Sequence, residues 1–159
     1  MNITITICTF RRSHIATTLQ SLEAMERPEG CTVSIVVIAN DDTPSAQARV
    51  DGTAAAMSLP VRYVHQPGAN ISIARNAGLD AATTEWVAFL DDDEVASVDW
   101  LSALMQTAQT LDAQLVFGPL RAEVDQPDSL RGQLATRLYS RPGPSSDSVL
   151  DAPYGSGNS

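Results

Sequence analysis

The chain has 159 residues and a formal net charge of −9, and all ten of its cationic side chains are arginines because it contains no lysine. A chain this acidic does not favour nucleic acid as a partner, since affinity for nucleic acid comes largely from basic side chains on phosphates. The absence of lysine excludes Schiff-base enzymes, Walker A nucleotide-binding loops and protein kinases.

The N-terminus does not have the pattern of a secretion signal. Its first charges, Arg11 and Arg12, follow the apolar stretch, and no apolar run approaches the roughly 18 residues of a membrane span. We therefore expect a cytoplasmic protein. Cys8 and Cys31 lie in apolar surroundings and are expected to be buried, reduced thiols. No histidine or cysteine spacing typical of a zinc site accompanies them.

Strand patterns alternate with helical patterns along the first 120 residues. The predicted strands cover residues 2–9, 33–38, 61–65, 85–90 and 114–118. The four predicted helices are capped by or begin at Ser13, Ala46, Ser72 and Ser97. This alternation predicts an α/β, Rossmann-like fold with a mainly parallel sheet and helices on both faces. Gly78, inside the third helix, indicates a close contact with a neighbouring element.

The chain beyond residue 120 is more weakly patterned. Residues 129–139 have a helical pattern, and the remainder, to residue 159, is rich in proline, glycine and serine and predicts no regular structure. That helix would carry Leu130, Leu134 and Leu138. We therefore divide the chain into a core, residues 1–120, and a weakly structured segment, residues 121–159.

Polar loops that follow the strands are the candidate site, because ligands of a parallel sheet bind outside the carboxyl ends of its strands. Four such loops occur, namely Thr9–Arg12, Asn40–Thr43, residues 66–70 leading to Arg75, and Asp91–Glu94. The predicted topology brings them to one edge of the sheet. Their convergence is stronger evidence for a site than any one loop.

The fourth loop places four consecutive carboxylates, Asp91–Glu94, directly after a buried strand. Two unit charges about 4 Å apart repel by ~4 kcal/mol at an effective dielectric constant of about 20. A hard cation such as Mg²⁺ or Mn²⁺, held by one or two carboxylates and by substrate phosphates, would relieve that repulsion. A merely solvated turn is the alternative, and the position at the ligand-binding edge favours the metal.

The other loops leave alternatives open. The first loop lacks glycine, which excludes a dinucleotide-binding turn, and its Arg11 and Arg12 face either phosphate or solvent. Asp41 is either a turn former or an acceptor for a nucleobase N–H. Arg75 lies one turn into a helix whose N-terminus favours anions, or else it forms a surface ion pair.

Three segments together resemble the family 2 glycosyltransferases of the GT-A fold. They are ICTFRR at 7–12, VVIANDDTPS at 36–45 and GANISIARNAGLDAATTEWVAFLDDDE at 68–94, and Trp100 follows them. The last segment is the most specific, because it joins the ARNAGL helix to the acidic strand end at the family's spacing. The resemblance implies transfer of a sugar from a nucleotide diphosphate donor, with inversion and a divalent metal, on a nucleotide-sugar-binding core.

The resemblance also implies roles for residues at the ends of the first two strands. Thr9 and Phe10 would lie beside the nucleobase, with Arg11 next to them in the same donor site. Asp41 would accept the base N–H. Asn40 would take that place if the register shifts by one residue.

For the later segments the resemblance implies contacts to the rest of the donor. Arg75 would approach the base or the diphosphate, and Asp91 and Asp92 would border the ribose and phosphates. Asp93, assisted by Asp91, would be the main metal ligand of a DxD motif.

The family continues well past residue 159, and its second half supplies the acceptor site and a carboxylate general base. The final GSGNS at 155–159 resembles the start of that half, so we expect a truncated chain whose general base lies beyond Ser159. An apolar surface around Val116, Phe117 and Leu120 would then be exposed. Self-association through that surface is expected.

The resemblance implies a nucleotide diphosphate sugar as donor, with a UDP-sugar as the first choice. The acceptor would be a glycan or a lipid-linked glycan, and the enzyme would make polysaccharide or another glycoconjugate at the inner face of a membrane. A sugar-phosphate nucleotidyltransferase and a phospho-accepting receiver domain are disfavoured, because each needs a lysine. A nucleotide-sugar-binding module without catalysis stays open as the main alternative.

Overall fold

A computed structural model describes residues 1–150, and the GSGNS segment lies outside the described residues. Within that range the chain forms four strands and five helices. In chain order they are β1 (Asn2–Thr9), α1 (Ile15–Ala24), β2 (Thr32–Ala39), α2 (Gln47–Ala54), β3 (Val61–His65), α3 (Ile71–Ala81), β4 (Trp86–Phe89), α4 (Trp100–Thr110) and α5 (Leu130–Tyr139).

The four strands form one parallel sheet in the order β3-β2-β1-β4. Strand β1 is therefore central, and Ile3 pairs with Val33 of β2 on one side and with Trp86 of β4 on the other. Its alternating isoleucines, which include Ile5 and Ile7, are fully buried. Because β1 lies between β2 and β4, the loop that follows it lies between the loops that follow those two strands.

Helices cover both faces of the sheet, which confirms the predicted fold class. On one face the isoleucines of β1 pack with α1, α2 and α4, through buried side chains such as Leu19, Val50 and Leu101. On the other face Val36 and Ile38 of β2 form a smaller cluster around Ala74 of α3. Each face therefore buries its own apolar side chains, as a doubly covered sheet requires.

Gly78 brings α3 close to the central strand, as its position inside a helix predicted. A Cβ at this position would overlap Cγ2 of Thr6 in β1. The glycine is buried, and α3 contacts both β1 and β2. The missing side chain therefore allows the helix to lie against the sheet.

The fifth predicted strand, over 114–118, was wrong for the described residues. That segment forms no ladder with β4, and Leu115, Val116 and Phe117 instead line a cavity of about 400 Å³ against β4 and α4. A short apolar run has the same pattern whether it pairs in a sheet or only packs against one. Val116, Phe117 and Leu120 are half-buried rather than exposed, while Leu115 is exposed.

Two predicted helix starts also differ from the structure. The first helix begins at Ile15 rather than after a Ser13 cap. The fourth begins at Trp100, because the hydroxyl of Ser97 donates to the Asp99 carboxylate instead of capping the helix.

The helix predicted beyond the core is present as α5, and the Ser129 hydroxyl caps it by accepting from the N–H of Gly132. Its leucines at 130, 134 and 138 are exposed.

Both cysteines are free thiols, as expected, although they are half-buried rather than fully buried. Burial raises the pKa of Cys8 to about 11, with Arg75 opposing the shift and Asp91 and Asp92 adding to it. Among the described residues, no helix has the length and apolar character needed to cross a bilayer.

The Gly78→Ala variant should lower the free energy of unfolding by about 1–3 kcal/mol, because the added methyl overlaps the Thr6 methyl. Gly52→Ala in α2 is the matched control, since nothing lies within 4 Å of its Cβ position, and it should stabilise by ~0.5–1 kcal/mol. Urea denaturation measures both. Thr6→Ser added to Gly78→Ala should recover stability, and equal stability of the two alanine variants would contradict this packing.

Candidate functional site

Three arginine–carboxylate pairs join the polar loops at the carboxyl ends of the strands. Arg11 Nε lies 2.7 Å from Asp41 Oδ1, which links the β1 loop to the β2 loop. Arg12 pairs with Asp93 of the β4 loop. Arg75 of α3 pairs with Asp91 at 3.2 Å, and the third loop joins through Ala69 N–H, which donates to Asn40 O at 3.0 Å. The loops therefore meet at one edge, as the topology predicted.

Asp41 anchors the β2 side of the site. It is buried, and its carboxylate accepts from Arg11 Nε at 2.7 Å, from Ser45 Oγ at 2.7 Å and from the N–H of Asp42 at 2.8 Å. The Ser45 hydroxyl, followed by the Arg11 guanidinium, lowers the pKa of Asp41 below its usual value. The Asp41 carbonyl is also 2.8 Å from Nε2 of His65 at the end of β3. Asp41 is therefore ionised and fixed in place.

The turn after β1 exposes an aromatic ring and a cation next to Asp41. Phe10 is about two-fifths exposed, and the Arg11 guanidinium lies 5.0 Å from the centre of its ring. Arg11 has a φ of 56°, a left-handed conformation that is uncommon outside glycine. This backbone conformation accompanies the contact of Arg11 with the β2 loop.

Asp92 faces into the protein rather than into solvent. It is 6% exposed, its Oδ2 accepts from Thr9 Oγ1 at 2.6 Å, and its carbonyl accepts from Thr18 Oγ1 of α1 at 3.1 Å. Burial raises the pKa of Asp92, while the Thr9 hydroxyl and Arg12 oppose the shift. In this structure Asp92 therefore fixes the β4 loop against β1 and α1.

Glu94 is the second inward-facing carboxylate of this loop. It is 9% exposed, and its buried Oε2 has no hydrogen-bond partner within residues 1–150. Burial, followed by the nearby Asp91 carboxylate, raises the pKa of Glu94 to about 7. Asp91 and Asp93 have side chains that are 40% and 49% exposed. The four carboxylates thus alternate, with two facing out and two facing in.

The outward-facing pair has the donor chemistry that a hard cation requires. No three acidic, histidine or cysteine side chains in residues 1–150 form a ready ligand cluster. Asp91 and Asp93 offer accessible carboxylate oxygens, which fits Mg²⁺ or Mn²⁺ held by one or two carboxylates plus substrate phosphates. The site therefore fits a cation that shares its ligands with a bound phosphate compound.

The N-terminus of α3 completes the edge. Asn70 caps the helix, since its side chain accepts from the N–H groups of Ser72 at 2.9 Å and Ile73 at 3.4 Å. Arg75, one turn further, is about one-quarter exposed and pairs with Asp91. Arg75 is thus held in place by a regular helix rather than by a loop.

The sequence-predicted residues are brought together at this edge, in different roles. Phe10, Arg11, Arg75, Asp91 and Asp93 are at least partly exposed. The remaining four, which are buried, are Thr9, Asn40, Asp41 and Asp92.

The contacts of these nine residues with a ligand stay predictions. For Asp92 the predicted contact is with the ribose and phosphates, whereas in this structure its carboxylate accepts from Thr9.

Sequence reasoning missed three contributors. The sequence predicts either phosphate or solvent opposite Arg12, whereas Arg12 pairs with the acidic loop. Ser45 and Thr18 were not considered, yet one holds Asp41 and the other holds the carbonyl of Asp92. Of the three, only Ser45 could be found from local sequence, because a serine four residues after an aspartate in a turn can bond to its carboxylate.

The chain matches one family, Glycosyl transferase family 2, over residues 4–150. It is 49% identical over 122 residues to the succinoglycan biosynthesis protein ExoM of Rhizobium meliloti, a match that covers 77% of this chain and 40% of ExoM. It is 33% identical over 109 residues to ExoO of the same organism, covering 65% of this chain and 29% of ExoO. The chain therefore spans about two-fifths or less of the length of these relatives.

Solved structures with the same fold include two with bound nucleotide sugars. The mannosyltransferase PcManGT of Pyrobaculum calidifontis, in complex with GDP-Man and Mn²⁺, has a TM-score of 0.61 at 20% identity and matches 79% of this chain and 36% of its own. S. aureus TarS 1–349 in complex with UDP-GlcNAc has a TM-score of 0.56 at 20% identity and matches 69% and 32%. These likenesses show that the fold is that of GT-A glycosyltransferases.

The buried Glu94 predicts a pH-dependent stability. Its folded pKa of about 7 lies above its ordinary 4.5, so between those values the folded state holds a proton that the unfolded state has released. The free energy of unfolding should therefore fall as pH rises through this window, by on the order of 3 kcal/mol. Glu94→Gln cannot ionise there and should lack this fall.

Urea denaturation of both chains at pH 4.5, 6, 7 and 8 measures the difference. Glu29→Gln, at an exposed position, is the control and should follow the unmodified chain at every pH. Parallel curves for the unmodified and Glu94→Gln chains would contradict the burial of an ionisable group at this position.

Proposed function

The chain belongs to glycosyl transferase family 2, and on that premise we propose that its residues 1–120 bind the donor of a sugar-transfer reaction. The reaction would move a sugar from a nucleoside diphosphate to an acceptor hydroxyl, with inversion. One observation carries the proposal, namely that a buried carboxylate, three arginines and two exposed carboxylates meet at the carboxyl edge of the sheet. This edge is where a parallel sheet binds ligands.

The β2 side of the site suits the nucleobase. Asp41 is ionised and buried, so its carboxylate is a strong acceptor for a base N–H. Phe10 exposes a ring on which a base can pack, and Thr9 and Asn40 border the same position. Arg11 bonds Asp41 in this structure, so we propose that it moves aside when a base binds.

The β4 side suits the diphosphate. Arg75 and the loop arginines supply positive charge for phosphate oxygens. Asp93, assisted by Asp91, would hold the Mg²⁺ or Mn²⁺, and Asp92 would border the ribose and phosphates. When bound, the cation would offset the charge that develops on the leaving diphosphate. PcManGT, which shares the fold, was solved with GDP-Man and Mn²⁺, and this supports the assignment.

The names of related proteins guide the choice of substrate. A UDP-sugar is our first choice of donor, because the TarS structures were solved with UDP and UDP-GlcNAc. ExoM and ExoO are named for succinoglycan biosynthesis, so we propose polysaccharide synthesis with a glycan or lipid-linked acceptor. Cytoplasmic work at the inner face of a membrane accords with such an acceptor. A general base beyond Ser159 stays a prediction.

A nucleotide-sugar-binding module without catalysis is the second candidate, because the contacts at the strand ends account for donor binding alone. Donor binding without transfer by the 159-residue chain would favour it.

The exposed leucines of α5 and the exposed Leu115 favour self-association through apolar surface, which light scattering after size exclusion would detect.

Asp93→Asn should weaken nucleoside diphosphate binding in Mn²⁺ by at least roughly tenfold, because it removes a charged oxygen ligand from the cation. In EDTA the variant should bind at least as tightly as the unmodified chain, because it has lost a negative charge beside the diphosphate and no longer holds Arg12 in an ion pair. Calorimetric titration with UDP, GDP and TDP measures both conditions. Asp80→Asn, exposed near the far end of α3, is the control and should change neither value. Equal affinity of the unmodified chain in Mn²⁺ and in EDTA would exclude metal dependence.

Asp41→Asn should lower the preference for UDP over ADP by roughly tenfold, because it replaces the acceptor for the base N–H while leaving the phosphate contacts in place. The ratio of the two dissociation constants is the measurement. Asp42→Asn is the matched control, since this neighbour is 77% exposed, and it should preserve the ratio. If the unmodified chain binds UDP and ADP equally, Asp41 does not select the base.

A further inference from the structure

Arg12 occupies Asp93, the main carboxylate that a cation would need. Its guanidinium bonds Oδ2 of Asp93, and its Nε lies 3.6 Å from Oδ1 of Asp92. Arg12 is 55% exposed and lies in the loop after β1, so its side chain can reorient in solvent. Arg75 differs, because it is only 26% exposed and lies on a regular helix.

We propose that Arg12 exchanges partners during donor binding: it neutralises Asp93 in the free protein, yields Asp93 to the divalent cation and then binds the donor diphosphate. This inference rests on the proposed function of the site. A carboxylate oxygen that accepts from a guanidinium is a poor cation ligand, because the guanidinium and the cation repel each other. The cation therefore has to displace Arg12 from Asp93.

The rest of the loop tolerates that displacement. Asp92 keeps its 2.6 Å hydrogen bond from Thr9 when Arg12 leaves, so no buried carboxylate loses its last partner. Arg11 remains an anchor to the β2 loop as long as no base is bound. The released Arg12 stays between the β2 and β4 loops, because β1 is the central strand.

The same position favours contact with a diphosphate. A planar guanidinium binds phosphate oxygens through two parallel hydrogen bonds. Exchanging a carboxylate for a phosphate therefore leaves the guanidinium paired with an anion. The cation takes the place of Arg12 at Asp93, and the diphosphate takes the place of Asp93 as the negative partner of Arg12. Cation and nucleotide should therefore bind cooperatively, and each should raise the affinity for the other by the same factor.

Arg12→Gln separates the two roles. Without nucleotide, the variant should bind Mn²⁺ at least roughly tenfold more tightly than the unmodified chain, because the competing cation is gone. In saturating Mn²⁺ it should bind UDP roughly tenfold more weakly, because a phosphate ligand is gone. Electron paramagnetic resonance of free Mn²⁺ measures the first affinity, and calorimetry measures the second.

Two further variants serve as controls. Arg12→Lys keeps the charge and loses the planar pair of donors, so its Mn²⁺ affinity should stay near that of the unmodified chain while its UDP affinity falls. Arg27→Gln removes an exposed arginine that bonds Ser58 at the opposite edge of the sheet, and it should change neither affinity. Changes in opposite directions for the two ligands cannot arise from loss of folded protein.

The outcomes distinguish this inference from the proposed function. If Arg12→Gln binds Mn²⁺ as weakly as the unmodified chain, or more weakly, partner exchange is wrong even when UDP binds. If UDP affinity is unchanged in the variant, Arg12 does not reach the diphosphate. If the unmodified chain binds none of UDP, GDP or TDP in Mn²⁺, the proposed function itself fails.

Discussion

The pairing of arginines with carboxylates at the strand ends is the interaction on which the site depends. Four consecutive carboxylates follow β4, and unit charges about 4 Å apart repel by on the order of 4 kcal/mol at an effective dielectric constant of about 20. Arg12 and Arg75 each neutralise one outward carboxylate, and Thr9 holds one that faces inward. These partners come from β1, its loop and α3, so the acidic turn is ordered by elements distant from it in sequence.

Alternation within the acidic turn decides which carboxylates can meet a ligand. Asp92 and Glu94 point into the protein, where burial raises their pKa values, and Asp91 and Asp93 point into solvent. The outward pair, Asp91 and Asp93, is therefore separated by one inward-facing residue. The middle aspartate then serves the fold, because it ties the turn to Thr9 and to Thr18 of α1.

The central position of β1 connects the fold to the site. Its fully buried isoleucines form the core on one face, and Thr6 on the other face receives Gly78 of α3. The same strand ends in a loop whose two arginines reach in opposite directions, Arg11 to the end of β2 and Arg12 to the end of β4. Packing that fixes β1 in the sheet therefore also fixes the distance between the β2 side and the β4 side of the site.

Much of the fold, and the position of the site on it, could be predicted from the sequence, because periodicity and turn chemistry depend on short stretches of chain. The alternating Ile and Thr residues of β1, the Asn70 cap and the close contact at Gly78 each follow from a short stretch of chain. Parallel topology then implied that the polar loops meet at one edge. Only the tertiary structure decided which way each carboxylate faces and that Arg12 belongs to the acidic loop, since orientation depends on partners some 80 residues away. The tertiary structure also decided that residues 114–118 pack beside β4 without pairing. An apolar run predicts burial, but whether it forms ladder hydrogen bonds depends on the elements next to it.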